Sequence, residues 1–309
     1  MNDSGSSEKS KVGYVALLGR PNSGKSTLLN HMLGQKVAIV SDKPQTTRTS
    51  ILGIKTTDQG QIIFIDNPGI HKPLHKLNKR MMNFVYSCLE TSDLNCLLVD
   101  ATLSFGHGDQ FVLDILKQIS TPLFLLLNKV DIIKKEKLLP MIDKYQELLS
   151  FREIIPISAL KGTNLDVLEK KIFEYLPEAE KIYTKDEVTV QSQRFLLAEI
   201  IREKILKHVR EELPFATAVH IDGIEEQPRA EEKAVTKPHK YIKASIIVEK
   251  DNHRKIIIGR RGTLIKTIGT QARKEIEKIL DTHIYLDLRV KVKTRWRDSA
   301  NVLDLIERQ

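Results

Sequence analysis

Eight residues, Gly19-Arg20-Pro21-Asn22-Ser23-Gly24-Lys25-Ser26, have the types and spacing to hold a chain of phosphates. In this G-x-x-x-x-G-K-S pattern the glycines let the backbone curl until several N–H groups converge on phosphate oxygens. A helix starting at the loop's end, through Thr27, adds partial positive charge. The Lys25 ammonium reaches the outer phosphates, and the Ser26 hydroxyl suits Mg²⁺. A second cluster, Asp66-Asn67-Pro68-Gly69, is followed by Ile70. Its aspartate can hold a metal-bound water, and the Gly69 N–H can bind a γ-phosphate. A third, Asn128-Lys129-Val130-Asp131, names the base. The Asp131 carboxylate can accept from the ring N–H and the exocyclic amine of guanine, an arrangement adenine does not present. Asn128 is expected to tie loops together and the Lys129 stem to cover the base. Ser158 and the Ala159 N–H are expected to meet the guanine O6 side. All these residues are candidate contacts of GTP or GDP, with Mg²⁺ as the metal. Lys25 and Gly69 are candidate catalytic groups, and Ser26 and Asp66 candidate metal ligands.

The elements needed to position these loops follow from the apolar pattern. The run 12–18 suits a buried strand, and 27–33 suits a helix stopped by Gly34. The polar segment 41–49 has neither period and is expected to be a mobile loop. Strands at 51–56 and 61–66, joined by the turn 57–60, predict an antiparallel hairpin. Helices at 75–90, 109–118, 137–149 and 165–175 then alternate with strands at 94–100, 122–127 and 154–157. Such alternation predicts an α/β fold with a doubly wound, mostly parallel sheet and right-handed crossovers. Ligand loops in such sheets lie at the carboxyl ends of the strands, where every motif above falls.

Beyond Leu176 the rhythm stops, and 177–191 reads as a linker. An amphipathic helix is expected over 195–213, with Phe195, Ala198, Ile201, Ile205 and Val209 on one stripe. Strands follow at 216–221, 241–248 and 283–292, with a polar insertion at 225–238. A short helix leads into Gly259-Arg260-Arg261-Gly262 and a long helix over 263–280. G-x-x-G alone describes many turns. Here residues 250–297 carry 14 basic and five acidic side chains, an excess equal to the whole chain's net charge of +9. The charge permits a polyanionic partner at this end of the chain, the alternative being a solvated basic face. Trp296 is either a base-stacking group or a half-buried anchor.

The 309 residues suggest two domains, with 41% hydrophobic residues to fill their cores. Cys88 and Cys96 fit no metal spacing and read as buried thiols of a reducing compartment. The polar start, residues 1–11, has no apolar core of a signal peptide. No apolar run reaches the length of a membrane span. The basic surface still permits peripheral contact with an anionic membrane.

Residues 11–176 resemble the translation-factor-related GTPases and carry their signature loops in order. The resemblance makes Thr47 the match to the switch threonine that reaches Mg²⁺ and completes the catalytic set, with Thr46 as the alternative. It also shows two departures from the Ras pattern. Ile70 stands where a glutamine orients the attacking water, so hydrolysis should be slow. Asn67 replaces a usual threonine. Asn22 either shapes its loop or helps hold K⁺, as in related potassium-activated GTPases. The second half resembles a bacterial-type (type II) KH RNA-binding domain, in which Lys255, Ile258, Gly259, Arg260, Arg261, Gly262 and Lys266 would meet RNA. The two together resemble the Era family of bacterial GTPases. That resemblance implies domains at 11–176 and 192–297, with a tail at 298–309. It implies a cytoplasmic monomer with no DNA partner that binds the 3′ end of small-subunit ribosomal RNA and assists 30S subunit assembly. The alternative is the GTPase component of an RNA-modification complex, which would predict catalytic cysteines or a cofactor site.

Overall fold

The computed structural model describes residues 10–227 and 239–309. They form two compact units, the first running to Val190 and the second from Gln191, with His75–Leu77 assigned to the second.

In the first unit β1 (Ser10–Leu18), β4 (Leu94–Asp100), β5 (Leu123–Asn128) and β6 (Glu153–Pro156) run parallel, as does β3 (Gly60–Asp66) beside β1. β2 (Ile51–Thr56) turns back, antiparallel to β3, and the path across the sheet is β2-β3-β1-β4-β5-β6. Helices α1 (Lys25–Leu33), α2 (Lys76–Thr91), α3 (His107–Leu116), α4 (Leu138–Leu148) and α5 (Leu165–Tyr175) complete the alternation. Every residue of β3 and β5 is buried. That is why their sequences read as near-continuous apolar runs instead of alternating. Helix α1 begins at Lys25, two residues before the expected start, because it grows directly out of the Gly24 turn.

Residues 177–191 are not a free linker. β7 (Glu178–Ala179) pairs antiparallel with β1. The Ile182 and Tyr183 N–H groups both donate to the Gln61 side chain at 3.0 Å, which donates back to the Tyr183 carbonyl. Further on, the Ile54 N–H donates to the Val188 carbonyl at 2.8 Å, and the Thr189 hydroxyl to the Leu52 carbonyl at 2.7 Å. The segment thus covers the open edge of β2, whose unpaired backbone groups need partners. It does so with backbone and polar bonds, which leave no hydrophobic period to read.

In the second unit α6 (Gln193–His208) and α7 (Leu213–Ala216) precede β8 (Thr217–Gln227) and β9 (His239–Val248). Then come α8 (Asp251–Ile258), α9 (Thr263–Leu280), β10 (Ile284–Val292) and α10 (Ala300–Glu307). β9 lies between β8, antiparallel, and β10, parallel. Ile201, Ile205, Ile242, Ile246, Ile268 and Ile276 are among the fully buried residues of its core.

Four expectations need correction here. Helix α6 ends at His208, short of 213, and is buried on more than one stripe. Arg202, Glu203 and Lys204 are buried too, held by the pairs Arg202–Glu199, Lys204–Glu203 and Lys204–Glu275 of α9. Glu211 then takes a left-handed backbone and Pro214 stands at the start of α7, so the helix cannot continue. The expected insertion at 225–238 is strand as far as Gln227, and its remainder lies outside the described residues. Trp296 is neither exposed nor half-buried: it is 1% exposed, and its indole N–H donates to the Ala216 carbonyl at 2.9 Å. The tail at 298–309 is largely helical, and the Gln309 amide bonds both the Val219 carbonyl and the Ile221 N–H of β8.

Candidate nucleotide-binding site

The loop after β1 depends on two glycines. Gly19 has φ +140° and Gly24 φ +102°, both unfavourable for any side chain. A Cβ on Gly19 would lie 2.3 Å from the Leu98 carbonyl, and one on Gly24 would lie 2.1 Å from the Asn128 amide. Asn128 is the tie expected from sequence. Its Nδ2 donates to the Ser23 carbonyl at 2.7 Å, and its Oδ1 accepts from the Ala159 N–H at 2.9 Å. Inside the loop Lys25 is 5% exposed, and its ammonium donates to the Gly19 and Arg20 carbonyls. Burial lowers its pKa to about 8, with Asp66 pulling the other way.

Beside Lys25, three oxygen groups converge. Ser26 Oγ lies 2.6 Å from Asp66 Oδ2 and 2.9 Å from Thr47 Oγ1, and the Thr47 hydroxyl lies 3.4 Å from the same carboxylate. Thr46 is turned elsewhere, donating to the Lys43 carbonyl at 2.6 Å. Both threonines line the cleft, and Thr47 is the one whose hydroxyl meets Ser26 and Asp66. Asp66 is fully buried, and its Oδ1 has no hydrogen-bond partner. Burial raises its pKa to about 6 against the opposing field of Lys25. A buried carboxylate with an orphaned oxygen, flanked by two hydroxyls, fits a hard cation that prefers oxygen ligands, such as Mg²⁺.

Lys25, Ser26 and Thr47 line a cleft of about 380 Å³, and Asp66 is not itself part of the wall. Asp131, Lys129, Ser158 and Ala159 line the same cleft. Lys129 takes a left-handed backbone (φ +69°), and its ammonium reaches Asp100 at 2.5 Å. Pro21, Asn22, Thr27 and Gly69 also line the cleft. Asn22 Nδ2 donates to the Asp42 carbonyl at 2.6 Å. Gly69 packs so tightly on the first loop that a Cβ would meet Pro21 Cα at 2.7 Å.

Not every candidate faces the cleft. The Asn67 side chain is fully buried and bonds the Ile65 carbonyl, Cys88 and Ser50. Pro68 is buried, and Ile70, 2% exposed, packs in the core with Met82 and Val85. Gly19, Arg20, Ser23 and Val130 are not among the residues that line the cleft. The Arg20 guanidinium pairs with Asp109 at 2.8 Å, and the Val130 N–H donates to the Ile157 carbonyl. Sequence reasoning missed Ile39, Val40, Ile132 and Leu160, which give the cleft an apolar wall. Ile132 and Leu160 adjoin recognised motifs, and that adjacency was the one available signal.

In the second unit Gly259 (φ +74°) and Gly262 (φ +77°) bracket a tight turn between α8 and α9. A Cβ on Gly259 would lie 2.9 Å from the Leu264 nitrogen. Lys255, Arg260, Arg261 and Lys266 are exposed around this turn, and Ile258 is half-buried. Lys255 pairs with Asp251 at 3.5 Å, whereas Arg260, Arg261 and Lys266 carry no ion pair among the described residues.

Two family models match this chain: a 50S ribosome-binding GTPase over residues 14–129 and a KH domain over 221–297. GTPase Era of Halothermothrix orenii is 45% identical over 293 residues, covering 95% of this chain and 97% of the relative. The chain belongs to the GTPase Era family. Era of Ruminiclostridium cellulolyticum is 46% identical over 95% of this chain and 96% of its own length. A crystal structure of Era with MgGDPNP and nucleotides 1506–1542 of 16S ribosomal RNA matches with a TM-score of 0.89. It is 40% identical and covers 96% of this chain and 98% of its own. An Aquifex aeolicus Era variant bound to GDP and aluminium fluoride matches at 0.87, also at 40% identity and the same coverage. This Era-family chain is thus a GTPase whose G domain precedes a KH domain.

Proposed function

We propose that this GTPase is a switch that binds the 3′ end of small-subunit ribosomal RNA and assists 30S assembly. The observation that carries the reading is the exposed G-x-x-G turn with its cations, joined in one chain to the cleft that Asp131 lines. The Era crystal structure with 16S ribosomal RNA supports the choice of RNA. In this reading 11–176 handles the nucleotide and 192–297 the RNA. Lys25 and the loop N–H groups bind the phosphates. Ser26, Thr47 and Asp66 hold Mg²⁺, which when bound neutralises charge on the outer phosphate oxygens. The Gly69 N–H contacts the γ-phosphate, and Asp131 selects guanine. The buried Ile70 side chain offers the attacking water no hydrogen bond, so intrinsic hydrolysis is slow. Crosslinking in lysate with sequencing of the captured RNA tests the assignment. Recovery of the 3′ end of small-subunit RNA is expected, and capture of transfer RNA alone would overturn it. The modification-complex alternative loses its support, because Cys88 and Cys96 are buried and their thiol pKa values are pushed up, that of Cys88 to about 11.

The same reading makes the protein a cytoplasmic monomer whose charge of +9 permits peripheral contact with an anionic membrane face. Among the described residues no helix is long and apolar enough to cross a membrane. It also gives K⁺ a part. With the Asn22 amide nitrogen engaged by Asp42, the amide oxygen is the group that can hold a monovalent cation against the phosphates. Such a cation would add charge where other GTPases use an arginine. Hydrolysis is expected to be faster in K⁺ than in Na⁺ at equal ionic strength, and Asn22→Ala should abolish the difference. Steady-state phosphate release in both salts checks this, and equal rates for the parent would end the cation role.

A further inference from the structure

We propose that His71 is a positioning residue for hydrolysis, a clasp between the loop that carries Thr47 and the loop that carries Gly69. The inference rests on the GTPase reading of the cleft and adds a residue to it. His71 Nδ1 lies 2.6 Å from the Gly69 carbonyl. A carbonyl can only accept, so Nδ1 bears the proton. In the neutral ring Nε2 is then the acceptor, and two amide nitrogens reach it: Gln45 at 3.2 Å and Asn78 of α2 at 3.0 Å. The His71 ring itself stands back from the cleft. His71 and Asn78 are not part of the cleft wall, whereas Gln45, Thr47 and Gly69 are.

Each tied group sits where a small shift matters. Gln45 holds a left-handed backbone (φ +59°), a conformation that non-glycine residues keep only when neighbours enforce it. Two residues on, the Thr47 hydroxyl meets Ser26 and Asp66. On the other side Gly69 is pressed against Pro21, where a Cβ would meet the Pro21 backbone at 2.7 Å. The residue between Gly69 and His71 is committed to the core: Ile70 is buried, and its N–H donates to the Gly19 carbonyl at 3.0 Å. The first polar side chain after Gly69 is therefore His71, and it fixes the two loops relative to each other. Catalysis that relies on placement is sensitive to displacements of about 1 Å, worth on the order of 10²-fold in rate.

The test is a double-mutant cycle on the full chain with His71→Ala, Gln45→Ala and both together. Single-turnover hydrolysis is measured alongside the Mg²⁺ concentration needed to retain a non-hydrolysable GTP analogue. GDP binding to the parent and to each variant, measured first, tests the nucleotide site separately from the clasp. Each single variant is expected to slow hydrolysis about 10–100-fold. Each should also raise the Mg²⁺ requirement while leaving GDP affinity within about threefold. The double variant should be no slower than the worse single variant, because one clasp is broken either way. His71→Asn keeps a donor near the Nδ1 position and should recover part of the rate. Parent-like hydrolysis by His71→Ala would overturn the proposal. So would additive losses, or a normal Mg²⁺ requirement in Gln45→Ala.

Discussion

Asp131→Asn is expected to turn the cleft from GTP toward xanthosine triphosphate. The carboxylate can accept from the two donors on one edge of guanine; an amide presents a donor there, and xanthine presents a carbonyl to receive it. A site built around such hydrogen bonds rejects the mismatched partner by about 10⁴-fold, because a buried donor or acceptor is left unpaired. The fold should tolerate the change. Asp131 is exposed and lines the cleft, and its loop is held by the Val130 N–H on the Ile157 carbonyl and by the Lys129–Asp100 pair. Competition binding with both triphosphates decides the matter. A variant that keeps the parent's preference for GTP would remove Asp131 from base selection. One that loses both nucleotides would show that the carboxylate holds the loop and does not read the base.

The cleft was legible in sequence to the extent that its residues obey local rules. The two glycines of the first loop are required by positive φ and by neighbours closer than 2.5 Å, so the motif and its conformation are one statement. The strands were legible because burial on both faces writes unbroken apolar runs. What failed did so for identifiable reasons. Residues 177–191 are fastened through Gln61, Leu52 and Ile54, more than 100 positions away in the chain, by bonds that need no particular residue period. Helix α6 reads as amphipathic from the stripe Phe195, Ala198, Ile201, Ile205 and Val209, yet ion pairs let Arg202 and Lys204 be buried as well. Asn67 and Ile70 stand inside a recognised motif, but their side chains face the core. Adjacency to a functional backbone group does not make a side chain functional. His71 shows the converse: it lies outside the motif, and only the folded chain brings it to Gln45 and Asn78.

Reversing both charges of the second glycine turn, Arg260→Asp with Arg261→Asp, is expected to weaken RNA binding roughly 10–100-fold near 0.1 M salt. Each phosphate neutralised on a single strand contributes about −0.7 to the slope of log affinity against log salt, so losing two contacts should flatten it by about 1.4. The substitution suits the backbone. Arg261 has φ +53°, a region that aspartate occupies more readily than most residues, so the turn should keep its shape. Both arginines are exposed and carry no ion pair among the described residues, so removing them orphans no buried partner there. Binding of a GTP analogue should stay within about twofold, since neither residue lines the cleft and both belong to the second unit. Titrating a 3′-terminal small-subunit RNA oligonucleotide at several salt concentrations gives affinity and slope together. An unchanged slope with weaker binding would mean that the turn positions the RNA without neutralising it. An unchanged affinity would move the RNA site off the G-x-x-G turn, to be sought among the other cations of residues 250–297, where eleven basic side chains beyond Arg260, Arg261 and Lys266 outnumber Glu275 and Glu277 of α9 and the rest of the five acids.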